Sequence, residues 1–309
     1  MDISPHKSDF VTVNGVRLHY LDWGGGGDPL IFLTGTGNSA HVFDQIAPRF
    51  THNFRVLALT RRGQGESDYP NEGYNLDVLV DDIYHFMNFL NIEQAILAGH
   101  SFAGRELTFF AEKYPGKVLK LIYLDAVYDS KGRREVIKNY PLSDVQPPDA
   151  RTEFDTVEDY ANYIKYTRPD LAEIWNETWD QIITYDLIET SNGKYKEKDF
   201  AKIENQLREG TKEFEPKSGV IKVPVLSFVA IPSSFGEFPA YYKEEQKQLE
   251  LKFIREHWVP FLQAEMTKFK NDISHAKIIE IPDGHHYCFI AQEQLVYNAM
   301  REFLLESHE

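Results

Sequence analysis

Gln94-Ala95-Ile96-Leu97-Ala98-Gly99-His100-Ser101-Phe102-Ala103-Gly104 is the stretch that decides how this chain reads. Its first half is a short apolar run, as expected for a strand buried on both faces. Its second half opens a segment, from about Phe102 to Lys113, that reads as a helix. A serine at the corner between strand and helix needs a sharply bent backbone, and the residues two positions away must be small to avoid a clash. Gly99 and Ala103 meet that demand. The helix start also offers backbone N–H groups, that of Phe102 among them, to negative charge developing beside Ser101. The plainer alternative is an incidental N-cap serine.

Around this corner, short apolar runs alternate with longer amphipathic stretches. Leu30–Leu33, Arg55–Leu59, Gln94–Gly99 and Val118–Leu124 read as strands, and Asp77–Leu90 carries Leu79, Ile83, Phe86, Met87 and Leu90 at helical spacing. Phe10–Asp22 alternates about Asn14-Gly15 and reads as a hairpin. The pattern predicts an α/β fold with a mostly parallel sheet and helices on both faces. From about 130 to 220 the chain becomes rich in charge, Tyr and Pro. Helical periodicity there covers Val157–Tyr166 and Leu171–Leu187, with no strong strand. Alternation then resumes with strands at Val223–Ala230 and Lys277–Ile281 and helices at Tyr242–Lys270 and Gln292–Leu305. The expected organisation is a core of residues 1–129 and 221–309 carrying a mainly helical cap, or lid, at 130–220.

Composition narrows the function classes. The chain has 309 residues and a formal net charge of -15, a surface that repels phosphate backbones and anionic headgroups. Nucleic acid and membrane insertion are therefore not expected. No apolar run of the roughly 20 residues needed to span a bilayer occurs, and the start shows no secretory leader. A cytoplasmic location is the default expectation, unless a leader has been lost. The one cysteine, Cys288, lies in Tyr-Cys-Phe-Ile and reads as a small core hydrophobe. The histidines show no ligand spacing, so neither a metal nor an organic cofactor is called for. Aromatic residues make up 14% of the chain, enough to fill a core and also line an apolar pocket. The oligomeric state is not legible.

The chain resembles the α/β-hydrolase superfamily over roughly residues 10–127 and 220–309. Many members have Gly where Ala103 stands. At Thr34-Gly35-Thr36-Gly37 the family usually has a His-Gly pair. The resemblance implies that the N–H groups of Thr36 and Phe102 form an oxyanion hole. Arg62-Gly63-Gln64-Gly65-Glu66-Ser67-Asp68 is similar to a family loop and reads as structural. Serine rather than aspartate at position 101 argues against haloalkane dehalogenases and epoxide hydrolases, which share the scaffold.

In this fold the order is serine, acid, histidine. Gly284-His285-His286-Tyr287 follows the last strand, where the general base belongs. Members with a Gly-His pair point to His285, those with a His-Tyr-x-Phe stretch to His286, and His286 is preferred. After the strand ending at Ala230, where most members place the acid, no Asp occurs. A minority place it one strand earlier, which points to Asp125. Glu237, Asp129 and Asp283 remain alternatives.

The expectation is a serine hydrolase acting on a small hydrophobic ester-like substrate, with carboxylic esters first. Amides, lactones and carbon–carbon bonds of diketones are also cleaved on this scaffold. A rival reading is a non-catalytic relative that binds a small hydrophobic ligand as a receptor. A third is a cofactor-free haloperoxidase-like or transferase activity of the same triad.

Overall fold

The computed structural model of the chain describes residues 6–127, 130–198, 200–215 and 217–306. β1 (Lys7–Val13) and β2 (Val16–Gly24) form the expected hairpin. Asn14 and Gly15 turn it with φ of 50° and 73°, the left-handed pair that matches the twist of the flanking strands. β3 (Pro29–Leu33), β4 (Arg55–Leu59), β5 (Ala95–His100), β6 (Val118–Leu124), β9 (Val225–Ile231) and β10 (Lys277–Pro282) complete an eight-stranded sheet. The strand order is β1-β2-β4-β3-β5-β6-β9-β10. From β4 to β10 every neighbouring pair is parallel, while β2 is antiparallel to both its neighbours.

The central strands are apolar at successive positions because both faces are covered. In β3, Ile31 and Leu33 face one core cluster, with α1 (Leu76–Phe89) and α2 (Ala103–Lys113), while Leu30 and Phe32 face the other. That second cluster also holds Val296, Met300 and Phe303 of α11 (Glu293–Leu305). Each fully buried side chain of this size contributes about 1.5–3 kcal/mol. α1 starts where the Asn75 side chain accepts the Val78 N–H at 3.1 Å, a cap that satisfies one orphan donor.

Between β6 and β9 lie α3 (Ser130–Ile137), α4 (Val157–Thr167), α5 (Pro169–Glu173), α6 (Glu177–Tyr185) and α7 (Phe200–Gly210). This region also holds a small hairpin, β7 (Leu187–Glu189) with β8 (Tyr195–Glu197). The expected helix over Leu171–Leu187 is therefore broken. The Asn176 side chain accepts the N–H groups of Thr178 and Trp179 and starts a new helix there, and Leu187 already belongs to a strand. Three-residue strands that are mostly exposed carry no alternating pattern, so nothing in the sequence marks them.

The expected helix over Tyr242–Lys270 is also divided, into α8 (Glu244–Phe253) and α9 (Val259–Asp272), joined by a wide turn at Ile254–Trp258 with five-residue hydrogen-bond spacing. Pro260 explains it. Proline has no N–H to continue the regular ladder, and a local π turn absorbs the mismatch without ending the helix. A short helix, α10 (Cys288–Ala291), precedes α11. Cys288 is fully buried, and burial pushes its thiol pKa up. Among the described residues, no helix is long and apolar enough to cross a membrane.

Candidate active site

The parallel strands all end at one edge of the sheet, so the residues just after β3, β5, β6 and β10 meet there. Ser101 follows β5 with φ of 54°, a left-handed backbone that costs a non-glycine residue about 1–3 kcal/mol. A Cβ on Gly99 would come within 3.0 Å of the Ala103 Cβ, so the two small residues fit only as a pair. Gly104 lets α2 approach β6, since a Cβ there would collide with the Ala126 carbonyl oxygen.

Asp125 follows β6, also at positive φ (49°), and is buried. Its Oδ1 accepts the Ala230 N–H of β9 at 3.0 Å. Its Oδ2 lies 2.6 Å from His286 Nδ1. A carboxylate only accepts here, so Nδ1 carries the proton and Nε2 is left as an acceptor. Ser101 Oγ lies 3.0 Å from that Nε2 and donates to it. The structure thus brings Ser101, His286 and Asp125 into one hydrogen-bonded line.

The alternatives lie elsewhere. His285 Nε2 donates to the Asp170 carbonyl at 3.1 Å, and its Nδ1 accepts the Tyr287 N–H at 3.0 Å. Both ring nitrogens are occupied by backbone partners, and burial lowers the His285 pKa. Glu237 is exposed, and Asp283 sits in an exposed turn after β10. Asp129 lies outside the described residues.

The Thr34–Gly37 segment runs beside the serine. A Cβ on Gly35 would stand 2.7 Å from His100 Nδ1 and 3.2 Å from the Ser101 Cβ, so this close approach needs glycine. Thr36, one residue on, is half-buried, while Phe102 is buried at the start of α2. Arg61 braces the same segment by donating to the carbonyls of Thr34 (2.6 Å) and Gly35 (3.3 Å). Its guanidinium is paired with Glu106 of α2 through Nε–Oε1 at 2.6 Å and Nη2–Oε2 at 2.5 Å. With its amide oriented to satisfy both ends, Gln64 donates to the Gly35 and Asn38 carbonyls and accepts the Gly37 N–H. Arg62 makes a two-pronged pair with Asp82 of α1.

The match to known sequences decides the family. Residues 28–210 fit the family model described as alpha/beta hydrolase fold. The chain belongs to that family. A non-heme chloroperoxidase of Streptomyces lividans is 35% identical over 119 residues, covering 38% of this chain and 43% of the relative. A bifunctional esterase/perhydrolase of Acinetobacter calcoaceticus is 34% identical over 119 residues, again 38% and 43%. The aligned stretch thus spans less than half the length of these curated relatives. Among solved structures, an E-2-(acetamidomethylene)succinate hydrolase superposes with a TM-score of 0.73 over 97% of this chain and 99% of its own, at 18% identity. At that identity the likeness speaks for the fold.

Within this α/β-hydrolase, a cavity of about 1000 Å³ opens on the His286 and Asp125 side of the serine. Phe235, Phe238 and Trp258 line it, together with Arg133, Arg168 and Lys247. Its lining is therefore mixed, not apolar throughout. Sequence reasoning missed Arg61 and Glu106; a carboxylate at a buried position of α2 was the available signal. It also read the histidines as scattered, whereas the fold gathers His6, His41 and Asp44, and His19, His41 and Glu66, into two groups able to hold a metal ion. Only the His41-x-x-Asp44 spacing is local.

Proposed function

We propose that this chain is a serine hydrolase that cleaves an ester-like bond through an acyl-enzyme intermediate. The observation that carries the reading is the unbroken line from Ser101 Oγ to His286 Nε2 (3.0 Å) and from His286 Nδ1 to Asp125 Oδ2 (2.6 Å). Ser101 Oγ attacks the substrate carbonyl carbon as His286 Nε2 takes the hydroxyl proton. The carbonyl oxygen becomes an oxyanion facing the N–H groups of Thr36 and Phe102, which are assigned to it. Collapse of this intermediate breaks the bond to the leaving group, and His286 returns the proton to that group. Water, deprotonated by His286, then attacks the acyl-serine and releases the acid and free Ser101. Asp125 holds the imidazole in the required tautomer throughout.

The residues between β6 and β9 act in this reading as a lid that contributes to the cavity wall. Phe235, Phe238 and Trp258 suit an apolar part of the substrate, and Arg133, Arg168 and Lys247 suit a polar or anionic end. The esterase half of the Acinetobacter relative's name agrees with an ester bond. The 2.6 Å contact between Asp125 Oδ2 and His286 Nδ1 supports catalysis over the rival binding-protein reading.

Hydrolysis of p-nitrophenyl esters of rising acyl length, with Ser101→Ala as control, tests this. Turnover lost in the variant supports the proposal, and the acyl-length optimum sizes the site. Absence of turnover on every ester, together with failure of a fluorophosphonate to label Ser101, would overturn it.

A further inference from the structure

Away from the triad, four segments of the chain bring ligand-bearing side chains to one buried point. His6 stands just before β1, His19 is in β2, His41 and Asp44 belong to the turn after β3, and Glu66 lies in the loop after β4. The side chains of His6 and His41 are each only 1% exposed, that of Asp44 6% and that of Glu66 13%. Burying two carboxylates is costly unless positive charge accompanies them.

We propose that His6, His41 and Asp44 form a structural site for a divalent cation of the zinc class. The donor atoms of these residues all lie within 4.8 Å of one another. His6 Nε2 and Asp44 Oδ1 are 3.4 Å apart, close to the roughly 3.3 Å between neighbouring donors around tetrahedral zinc. His41 Nδ1 is 2.8 Å from Asp44 Oδ2, so a small outward shift admits the ion. Two imidazoles with one carboxylate select zinc, cobalt or nickel over the oxygen-seeking calcium and magnesium.

The surroundings fit a metal-binding histidine. With Nδ1 on the metal, His41 turns Nε2 toward Glu66 Oε1 at 3.1 Å, the carboxylate partner that orients and strengthens such a ligand. The other Glu66 oxygen faces His19 Nδ1 at 3.6 Å, and His19 is itself held by Thr60 and Ser8. Trp23 packs edge-on against His6, with ring centroids 5.6 Å apart. Charge supports the same reading. Asp44 and Glu66 bring two carboxylates to this point, 6% and 13% exposed, and a dication answers both negative charges.

The site would act by fastening parts of the fold. His41 stacks on Tyr185 at the end of α6, centroids 5.3 Å apart and planes 10° from parallel. One ion would therefore tie the start of β1 and the turn after β3 to the insertion between β6 and β9.

The test uses the full chain, stripped with a chelator and titrated with Zn²⁺ against a chromophoric competitor. One equivalent of zinc per chain is expected, with a rise in Tm, and Co²⁺ in its place should show the visible absorption of a tetrahedral centre. His6→Ala and Asp44→Asn should each lose the tight equivalent, while Glu66→Gln should weaken it about 10–100-fold. Circular dichroism establishes that each variant is folded, and the isosteric Asp44→Asn serves if His6→Ala is not. Failure of the unsubstituted chain to take up a stoichiometric ion overturns the proposal. So does undiminished uptake by a folded His6→Ala or Asp44→Asn variant, which would place the ion elsewhere.

Discussion

His100 Nε2 donates to the backbone carbonyl of His286 at 3.1 Å, so the residue before the proposed nucleophile anchors the residue proposed as base. The two rings lie 4.6 Å apart. Burial, with the His286 ring second, holds His100 well below the usual imidazole range and therefore neutral. Its single ring proton is thereby committed to Nε2. His100→Phe fills most of the same space but removes this donor. A buried acceptor left without its partner costs about 1–3 kcal/mol. We expect kcat to fall roughly 10–100-fold with KM little changed. Steady-state kinetics on an ester that the unsubstituted chain turns over provides the measurement; an unchanged kcat would show that the contact does not position His286.

Asp125 uses both oxygens, one on Ala230 N–H and one on His286 Nδ1. The side-chain amide of an Asp125→Asn variant would offer a single oxygen. If that oxygen stays on Ala230, the amide N–H₂ faces Nδ1 and drives His286 into the wrong tautomer. Asp125→Asn should therefore reduce kcat by about 10⁴, the scale known for this exchange in a serine triad. Glu237→Gln should change kcat less than about tenfold, because Glu237 is exposed in the loop after β9. Reversal of these two results would move the acid to Glu237.

The neighbouring histidines should separate as clearly. His286→Ala removes the group beside Ser101 Oγ, and a drop of roughly 10⁴ or more in kcat/KM is expected. His285 joins Asp170 and Tyr287 through backbone contacts. His285→Ala should thus cost about 1–3 kcal/mol of stability and much less activity. Thermal melts and kinetics on both variants make the comparison, and full activity in His286→Ala would reassign the base.

Much of this architecture is legible because its signals are local. The apolar runs of β3 to β6 reflect strands covered on both faces, and Gly99 and Ala103 mark the corner at Ser101. The doubled histidine is a different case. His285 and His286 sit side by side in the chain, and only the partners supplied by α5 and by the turns after β5 and β6 distinguish them. Asp125 could be named only from the family resemblance, since a carboxylate at a strand end also braces loops. Arg61 with Glu106, and His6 with His41, join residues that lie several elements apart in the chain, and no period or spacing encodes such pairs. The mixed cavity lining was hidden for the same reason. Phe235 and Phe238 belong to one short segment, but Arg133, Arg168 and Lys247 reach the cavity from three others.

Asp186, between α6 and β7, makes stability depend on pH in the direction opposite to most carboxylates. Burial, reinforced by Glu66 and Glu197 and opposed by Lys198, raises its pKa from 3.8 to about 8. The folded chain therefore keeps a proton here that the unfolded chain gives up near pH 4. This contribution to stability is complete below about pH 4 and is lost as pH rises through about 8. Asp186 retains some solvent contact, so the swing is set at roughly 1–3 kcal/mol, less than a fully buried carboxyl would give. Asp186→Asn is uncharged at every pH and removes the dependence. Urea unfolding between pH 5 and pH 9 should show the variant gaining on the unsubstituted chain as pH rises, with the largest gap near pH 9. Two curves that stay parallel across this range would mean that Asp186 titrates alike in the folded and unfolded chain, and its burial would then carry no pH-linked cost.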